Sequence, residues 1–235
     1  MLYVLKYIWP QDPNDMVYIF CAYRKWAITL FEKLSKKHKN IILVDSPKKL
    51  TYAFVKKHNP KFIFFPDWSW IVPENIVKNF RCVCIHESDL PKFRGGSPLQ
   101  NQIIRGIKKT KSTAFLMSTG LDDGDIIQKM NLSLTDSIQD IFERMIDNDF
   151  KMIEKIIKGN FKTRKQTGRP TVFKRRTPQE SELKSLDHQL SYLYDFIRML
   201  DDPYPNAFVT IGKRRISFKN PKLVGNRLQF TGEIF

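Results

Sequence analysis

The sequence of 235 residues predicts an α/β fold, an open and mostly parallel sheet with helices on both faces, followed by a short helix and a β-hairpin tail. Apolar runs of strand length alternate with segments whose apolar residues recur at helical spacing, which indicates alternating strands and helices. The runs are apolar on both faces, as in parallel strands that helices cover on each side. With 42% hydrophobic residues, the chain can bury a core of ordinary size.

The strands are identified first, because short apolar runs mark them. The first strand is predicted at 17–22, and a helix follows it because the apolar residues of 26–34 share one helical face. The later strands are predicted at 40–44, 61–65, 81–86, 112–118 and 126–134.

Capping residues predict where the other helices begin and end. Ser46 and Pro47 predict a helix start, since a serine cap and a proline at the first helical position suit one another. Ser137 and Asp140 predict the capped start of a long amphipathic helix, which the Gly-Asn pair at 159–160 ends.

The composition changes after residue 160, which predicts three parts. Residues 1–160 form the catalytic α/β domain, 161–184 form a basic linker lying over the surface, and 185–235 form a C-terminal helix and hairpin extension. The oligomeric state stays open, although hairpin tails of this kind often pair across a homodimer.

The net charge of +16 admits three kinds of partner: nucleic acid, an anionic membrane surface or small anionic ligands. Solvated surface lysines explain the same charge equally well.

Cys21, Cys82 and Cys84 lie in apolar runs, which predicts buried thiols in a reducing compartment. The first residues lack the pattern of a signal peptide, and no apolar run approaches the length of a membrane span, so we expect a cytoplasmic protein without a membrane partner.

Several common sites are excluded by pattern. No GxGxxG follows the first strand and no GxxxxGK[ST] occurs, which argues against the usual dinucleotide and nucleoside-triphosphate enzymes. Cys82, Cys84 and His86 share one face of a strand, but residues four apart are about 13 Å from each other. Because zinc ligands lie about 2.0–2.3 Å from the ion, one strand cannot supply all three, and no metal is expected.

Two segments carry the predicted chemistry. Residues 86–98 read HESDLPKFRGGSP, a histidine at the end of a buried strand followed by a glycine-containing loop and a helix start. Open α/β sheets bind ligands at such strand ends, and helix starts favour anions. Residues 120–126 read GLDDGDI, a carboxylate-rich turn that is predicted to end a neighbouring strand.

Together these segments resemble the formyltransferase family that uses N10-formyltetrahydrofolate. That family carries H-x-S-L-L-P-x-x-R-G-x-x-P and, later, G-L-D-x-G-D-[IM], and the spacing brings Asp122 onto its catalytic aspartate. The resemblance implies that an acceptor amine attacks the formyl carbon while His86 shuttles the proton and helps hold the oxyanion. Asp122 would orient His86 and keep it basic. Cys84 departs from the family's asparagine, an amide donor, so either Ser88 or a backbone N–H donates instead, or the activity is slow or changed.

The resemblance also implies two sets of binding residues. The pterin of the folate is expected against Trp68, Ser69, Trp70, Ile71, Thr119, Gly120 and Leu121. The acceptor is expected against Arg94, Gly95, Gly96, Ser97, Tyr204, Asn206 and Phe208. Packing within the core or a loop is the alternative for the two tryptophans, and a hydrophobic tether of the tail is the alternative for Tyr204.

The acceptor was predicted from the C-terminal part. Family members acting on methionyl-tRNA carry an extra C-terminal β-barrel, and the residues after Phe208 are too few for one. The segment 193–208 is similar to the part of sugar N-formyltransferases near the nucleotide. We therefore expect a nucleotide-linked amino sugar as acceptor, for surface glycan biosynthesis, and no nucleic-acid partner. The alternatives are a catalytically impaired member that binds a nucleotide sugar, a formyltransferase acting on another amine, and an RNA-binding module.

Overall fold

The computed structural model describes residues 16–159 and 161–235. The predicted absence of a signal peptide at the start of the chain, and Asn160 at the predicted helix end, lie outside these residues. The first part is an α/β unit on a six-stranded sheet with strand order β2-β1-β3-β4-β6-β7. Its strands are β1 (Tyr18–Ala22), β2 (Ile41–Val44), β3 (Phe62–Asp67), β4 (Cys82–His86), β6 (Lys109–Leu116) and β7 (Ile126–Ser133).

The sheet is mostly parallel, as predicted. Strands β1 to β4 pair in parallel, whereas β6 runs antiparallel to both β4 and β7. The direction of β6 has a consequence for the site. Its carboxyl end at Leu116 lies beside Val83 and not beside His86, so residues 117–125 must return along β4 before they can reach His86. The prediction that both segments leave neighbouring strand ends is therefore wrong in this detail.

Helices cover both faces of the sheet, as the two-sided apolar strands require. The helices are α1 (Lys25–Ser35), α2 (Tyr52–His58), α3 (Glu74–Asn79), α4 (Pro98–Ile103), α5 (Ile138–Ile157) and α6 (Leu190–Arg198). One core lies between the sheet and α1, α4, α5 and α6, and it includes Phe20, Phe64 and Leu30. A smaller core lies against α2 and α3 on the other face and is centred on Ile63 and Phe65.

The helix starts predicted at residues 46–47 and 137–140 had different outcomes. Ser137 accepts a hydrogen bond from the Asp140 N–H, and the Asp140 carboxylate accepts one from the Ser137 N–H, so the capping box of α5 is confirmed. The predicted helix start at Ser46 and Pro47 is wrong, because these residues form a turn and α2 begins at Tyr52. Thr51 caps α2, and its hydroxyl accepts a hydrogen bond from the Phe54 N–H.

The segment after α5 returns to the sheet's carboxyl edge. There β8 (Val172–Phe173) pairs in parallel with β5 (Arg94–Gly95) in the loop after β4, and a 3-10 turn spans Pro178–Ser181. The stacked rings of Phe93 and Phe173, 5.0 Å apart, join the two segments.

The C-terminal part is an antiparallel sheet packed on α6. Its strands are β9 (Ala207–Ile211), β10 (Arg214–Val224) and β11 (Arg227–Ile234), in the order β11-β10-β9. Ala207 and Phe218 are buried and join the main core through Leu193 and Phe196 of α6. The predicted C-terminal antiparallel strands are thereby confirmed. None of the helices within residues 16–159 and 161–235 combines the length and apolar character needed to cross a bilayer.

Candidate active site

A cavity of about 1280 Å³ opens at the carboxyl ends of β1, β3 and β4. Ligands bind at this edge in open α/β sheets because the loops that follow the strands diverge there. Its walls come from the loops after β1, β3 and β4, from residues 117–122, and from the segment 172–178. Leu200 and Tyr204, between α6 and β9, line it as well. The C-terminal part of the chain therefore contributes to the cavity.

His86, the last residue of β4, is buried at the base of this cavity. Its Nε2 lies 2.7 Å from the Phe93 carbonyl oxygen, so Nε2 carries a proton and donates it there. The other ring nitrogen, Nδ1, lies 3.8 Å from Oδ2 of Asp122. In the neutral ring Nδ1 is therefore free to accept a proton, and Asp122 stands close enough to stabilise the resulting imidazolium.

The loop conformation delivers Asp122 to that position. Asp122 has a positive φ of 47°, and its Oδ2 accepts a hydrogen bond of 2.8 Å from the Gly95 N–H. The Gln166 side-chain amide donates to the Asp122 carbonyl at 2.8 Å and to the Gly124 carbonyl at 2.9 Å. A side chain on Gly124 would overlap the Leu116 carbonyl oxygen, which explains a glycine there.

The two glycines of the loop after β4 are required by close contacts with the backbone of another segment. A Cβ on Gly95 would overlap the Phe173 carbonyl oxygen, and one on Gly96 would overlap the Arg175 backbone. Both glycines therefore let the segment 172–176 pass close to the loop. Ser97 precedes α4 with a φ of 51°, and its hydroxyl accepts from the Arg176 N–H at 3.1 Å without capping the helix. All three residues line the cavity.

All seven residues predicted to contact the pterin line the cavity. Trp68 and Trp70 meet edge to face at 5.0 Å, and Tyr23 contacts Trp70 at 4.6 Å. Trp68 Nε1 is buried and has no hydrogen-bond partner among the described residues. The tryptophans therefore both pack on each other and line the cavity, and Ser69, Ile71, Thr119, Gly120 and Leu121 line it as well.

A buried ion pair in the cavity was not predicted from the sequence. Arg24, just after β1, pairs through its guanidinium with the carboxylate of Asp67, the last residue of β3. Burial raises the pKa of Asp67, although the charge of Arg24 opposes the rise. Arg24 also lies over the Tyr204 ring, 5.5 Å from its centroid. Arg175 donates to the Ser69 hydroxyl at 2.6 Å and adds a second guanidinium to the cavity lining.

Three of the residues predicted to bind the acceptor substrate do not line the cavity, namely Arg94, Asn206 and Phe208. Arg94 donates to Gln166 at 2.7 Å and so braces the loop that holds Asp122. Asn206 donates to the Leu200 carbonyl at 2.9 Å. Phe208 pairs with β10, and the Arg215 guanidinium lies over its ring at 3.5 Å. Tyr204 does line the cavity, and burial raises its pKa to about 12.

Comparison with known proteins identifies the family. The family described as Formyl transferase matches residues 35–157, just over half of the chain. The chain belongs to the formyltransferase family. The family described as Methionyl-tRNA formyltransferase, C-terminal domain, matches residues 178–234. Membership confirms the predicted enzyme class, a folate-dependent formyltransferase, and N10-formyltetrahydrofolate as the formyl donor of the family.

Individual relatives of this formyltransferase point to one branch. A solved structure of methionyl-tRNA formyltransferase from Clostridium thermocellum is 41% identical, with a TM-score of 0.90, and the match covers 94% of this chain and 99% of that one. The methionyl-tRNA formyltransferase of Clostridium perfringens (strain SM101 / Type A) is 29% identical over 171 residues, 68% of this chain and 54% of the relative. The chain thus spans about half the length of the curated relatives it matches first.

The predicted acceptor is wrong. A sugar N-formyltransferase from Shewanella sp FDAARGOS_354 is 18% identical with a TM-score of 0.65, the match covering 92% of this chain and 96% of that one, which shows a shared fold alone. The closer likeness to methionyl-tRNA formyltransferases overturns the nucleotide-linked amino sugar, the role in glycan biosynthesis and the exclusion of nucleic acid. The prediction took the C-terminal part to begin after Phe208, whereas the matched C-terminal domain begins at residue 178. Its helix α6 and its strands contribute residues to the main core.

The formyltransferase pair His86 and Asp122 lacks the expected hydroxyl partner. Ser88 is buried and donates its hydroxyl to the Lys92 carbonyl at 2.6 Å, and it does not line the cavity. Cys84 lines the cavity, and burial, followed by the charges of Asp122, Glu87 and Asp149, raises its pKa well above the usual range. The thiol therefore stays protonated and is a weak donor. Among the described residues, no group of three histidine, cysteine or acidic side chains is arranged to hold a metal ion.

Proposed function

We propose that this formyltransferase transfers the formyl group of N10-formyltetrahydrofolate to the α-amino group of methionyl-tRNA. The observation that carries the proposal is the 41% identity to the Clostridium thermocellum methionyl-tRNA formyltransferase over 99% of that chain. Such a match includes the C-terminal part as well as the catalytic α/β unit. The net charge of +16, and Lys174, Arg175 and Arg176 on the cavity wall, suit an acceptor with a phosphate backbone.

The cavity suits a flat folate ring. Trp68 and Trp70 offer aromatic surface, and the unpartnered Nε1 of Trp68 offers a buried donor. Residues 68–71 and 119–121 would hold the ring between them. When bound, N10-formyltetrahydrofolate supplies an activated formyl group.

The chain's own contribution is acid–base chemistry at His86. Its Nε2 is occupied by the Phe93 carbonyl, so Nδ1 is the atom that accepts a proton from the attacking amine. Asp122, 3.8 Å from Nδ1, stabilises the imidazolium, and the Gly95 N–H fixes the carboxylate in place. His86 would then return the proton to the departing nitrogen. The family role of Asp122 in orienting His86 is shared here with Phe93.

The test is formyl transfer to methionyl-tRNA, measured as formylmethionine released after hydrolysis of the ester. The wild type should form it, and His86→Ala should reduce kcat by about 100-fold or more, because general acid–base catalysis contributes about 10²–10⁴. Glu143→Gln, a change of an exposed carboxylate on α5, serves as the control and should leave kcat unchanged. Full activity in His86→Ala would refute the assigned role, and no product from the wild type would refute the function.

A further inference from the structure

Four carboxylates of the described residues line the cavity, and they differ in their partners. Asp67 is paired with Arg24, Glu74 with Lys78, and Asp122 with His86 and the Gly95 N–H. Glu87 is the fourth, and it makes no salt bridge with any of the described residues. Glu87 is therefore the lining carboxylate that an incoming cation could pair with.

The backbone holds Glu87 firmly at the reacting end of the cavity. Glu87 follows His86 directly at the carboxyl end of β4. The Gln102 side-chain amide donates to the Glu87 carbonyl at 2.6 Å, and the Ser88 N–H donates to the His86 carbonyl at 2.9 Å. Gln102 is itself buried and accepts from the Thr110 hydroxyl at 2.5 Å. This fixed backbone makes the side chain a candidate for a defined role next to His86.

Charged and titratable groups surround Glu87 on several elements. Burial is the main influence and raises its pKa to about 7, while His86 and Arg24 oppose the rise and Asp67 adds to it. The negative charge of Glu87 in turn raises the pKa values of Cys84 on β4, Asp149 on α5 and Tyr204 before β9. Asp149 is buried and has no hydrogen-bond partner among the described residues, and burial raises its pKa well above the usual range. Of these two carboxylates, Glu87 has its pKa raised to about 7, so it can exchange a proton near neutral pH.

We propose that Glu87 binds the ammonium group of the acceptor amino acid and takes the first proton from it before attack. The inference rests on the proposed function, because that acceptor enters as an ammonium ion. One proton of the ammonium passes to Glu87 and a second to His86 as the nitrogen–carbon bond forms. The bond from the formyl carbon to the donor nitrogen then breaks, and that nitrogen takes the proton from His86. Glu87 releases its proton to solvent, so atoms and charge balance.

The experiment uses Glu87→Gln, which keeps the shape and removes the charge, with Glu87→Asp as the conservative variant and Glu143→Gln as the control. Losing one charge-assisted contact should lower kcat/KM for methionyl-tRNA by about 10- to 100-fold. KM for N10-formyltetrahydrofolate should stay within about twofold, and Glu87→Asp should recover part of the loss. In the wild type, kcat/KM for the acceptor should rise as the pH passes through about 7, because the ionised carboxylate is required. Glu87→Gln should lose the contribution of this carboxylate to the pH profile and keep the pH dependence that the base His86 imposes.

A chemical control separates recognition of the ammonium from a general effect on the fold. A tRNA esterified with the α-hydroxy analogue of methionine carries no ammonium group, so Glu87→Gln should not weaken its inhibition. The assignment would be overturned, while the proposed function stood, by either of two results. Glu87→Gln could weaken the binding of both tRNAs equally, or its kcat/KM for methionyl-tRNA could stay within twofold of the wild type. Absence of transfer by the wild type would overturn the proposed function, and the assignment with it. A melting temperature for Glu87→Gln at or above that of the wild type is expected, since the change removes a desolvated charge.

Discussion

The charge of Asp122 can be separated from its structural role by one substitution. Asp122→Asn keeps an oxygen that can accept from the Gly95 N–H, and asparagine tolerates the positive φ of 47° at this position. It removes the negative charge that lies 3.8 Å from Nδ1 of His86. The variant should therefore fold normally and affect catalysis alone.

The size of the loss follows from the distance and the exposure. Two unit charges 3.8 Å apart interact by about 4 kcal/mol at an effective dielectric constant of about 20. The Asp122 side chain is 19% exposed, so solvent screens part of this and leaves about 2 kcal/mol. Because the imidazolium forms only during the reaction, that energy is lost from the transition state. We expect kcat to fall by about 30-fold.

The assay is steady-state formyl transfer with both substrates varied, together with a thermal melt. KM values should change by less than about threefold, because the charge acts on His86 and not on bound substrate. Asp147→Asn, at an exposed site on α5, provides the control. A kcat above half the wild-type value would show that Asp122 does not stabilise an imidazolium and would refute the account of the pair.

Two further predictions concern the missing amide donor and the loop that holds Asp122. Cys84→Asn should raise kcat by about 10-fold or more, because the thiol is a weak donor and one oxyanion donor is worth about 10²–10³ in rate; unchanged turnover would show that a backbone N–H already supplies it. Gly124→Ala should lower the free energy of unfolding by about 3 kcal/mol in denaturant titrations, since the methyl group meets the Leu116 carbonyl oxygen. Gly106→Ala, where the added carbon meets nothing, should cost about 1 kcal/mol for its positive φ, and equal losses would contradict the packing argument.

The fold could be predicted well because its signals are local. Continuous apolar runs such as the one ending at Ala22 identified the buried strands, and Ser137 identified the start of α5. The direction of β6 had no such signal, because antiparallel and parallel pairing place the same apolar residues on the same faces. The helix start predicted at Ser46 is wrong because two residues that can cap a helix, Ser46 and Thr51, lie close together in the sequence. Thr51, which follows the buried Leu50, is the residue that caps α2.

The site was only partly predictable because much of it depends on distant contacts. His86 and Asp122 could be found from two short segments. The Arg24–Asp67 pair joins residues 43 positions apart, and neither residue belongs to a recognisable pattern. The segment 172–176 was assigned to a linker, yet Gly95 and Gly96 bring it against the cavity. Glycines without an evident turn, next to a predicted site, were the signal that another backbone approaches there.

The acceptor is the central claim, and a single-turnover experiment tests it most directly. Enzyme in excess over methionyl-tRNA is mixed with N10-formyltetrahydrofolate, and the amino acid released from the tRNA is analysed by mass spectrometry. The wild-type enzyme should yield N-formylmethionine in an amount equal to the tetrahydrofolate produced, and His86→Ala should yield none. Unmodified methionine from the wild-type reaction, with the enzyme folded and the folate bound, would contradict it.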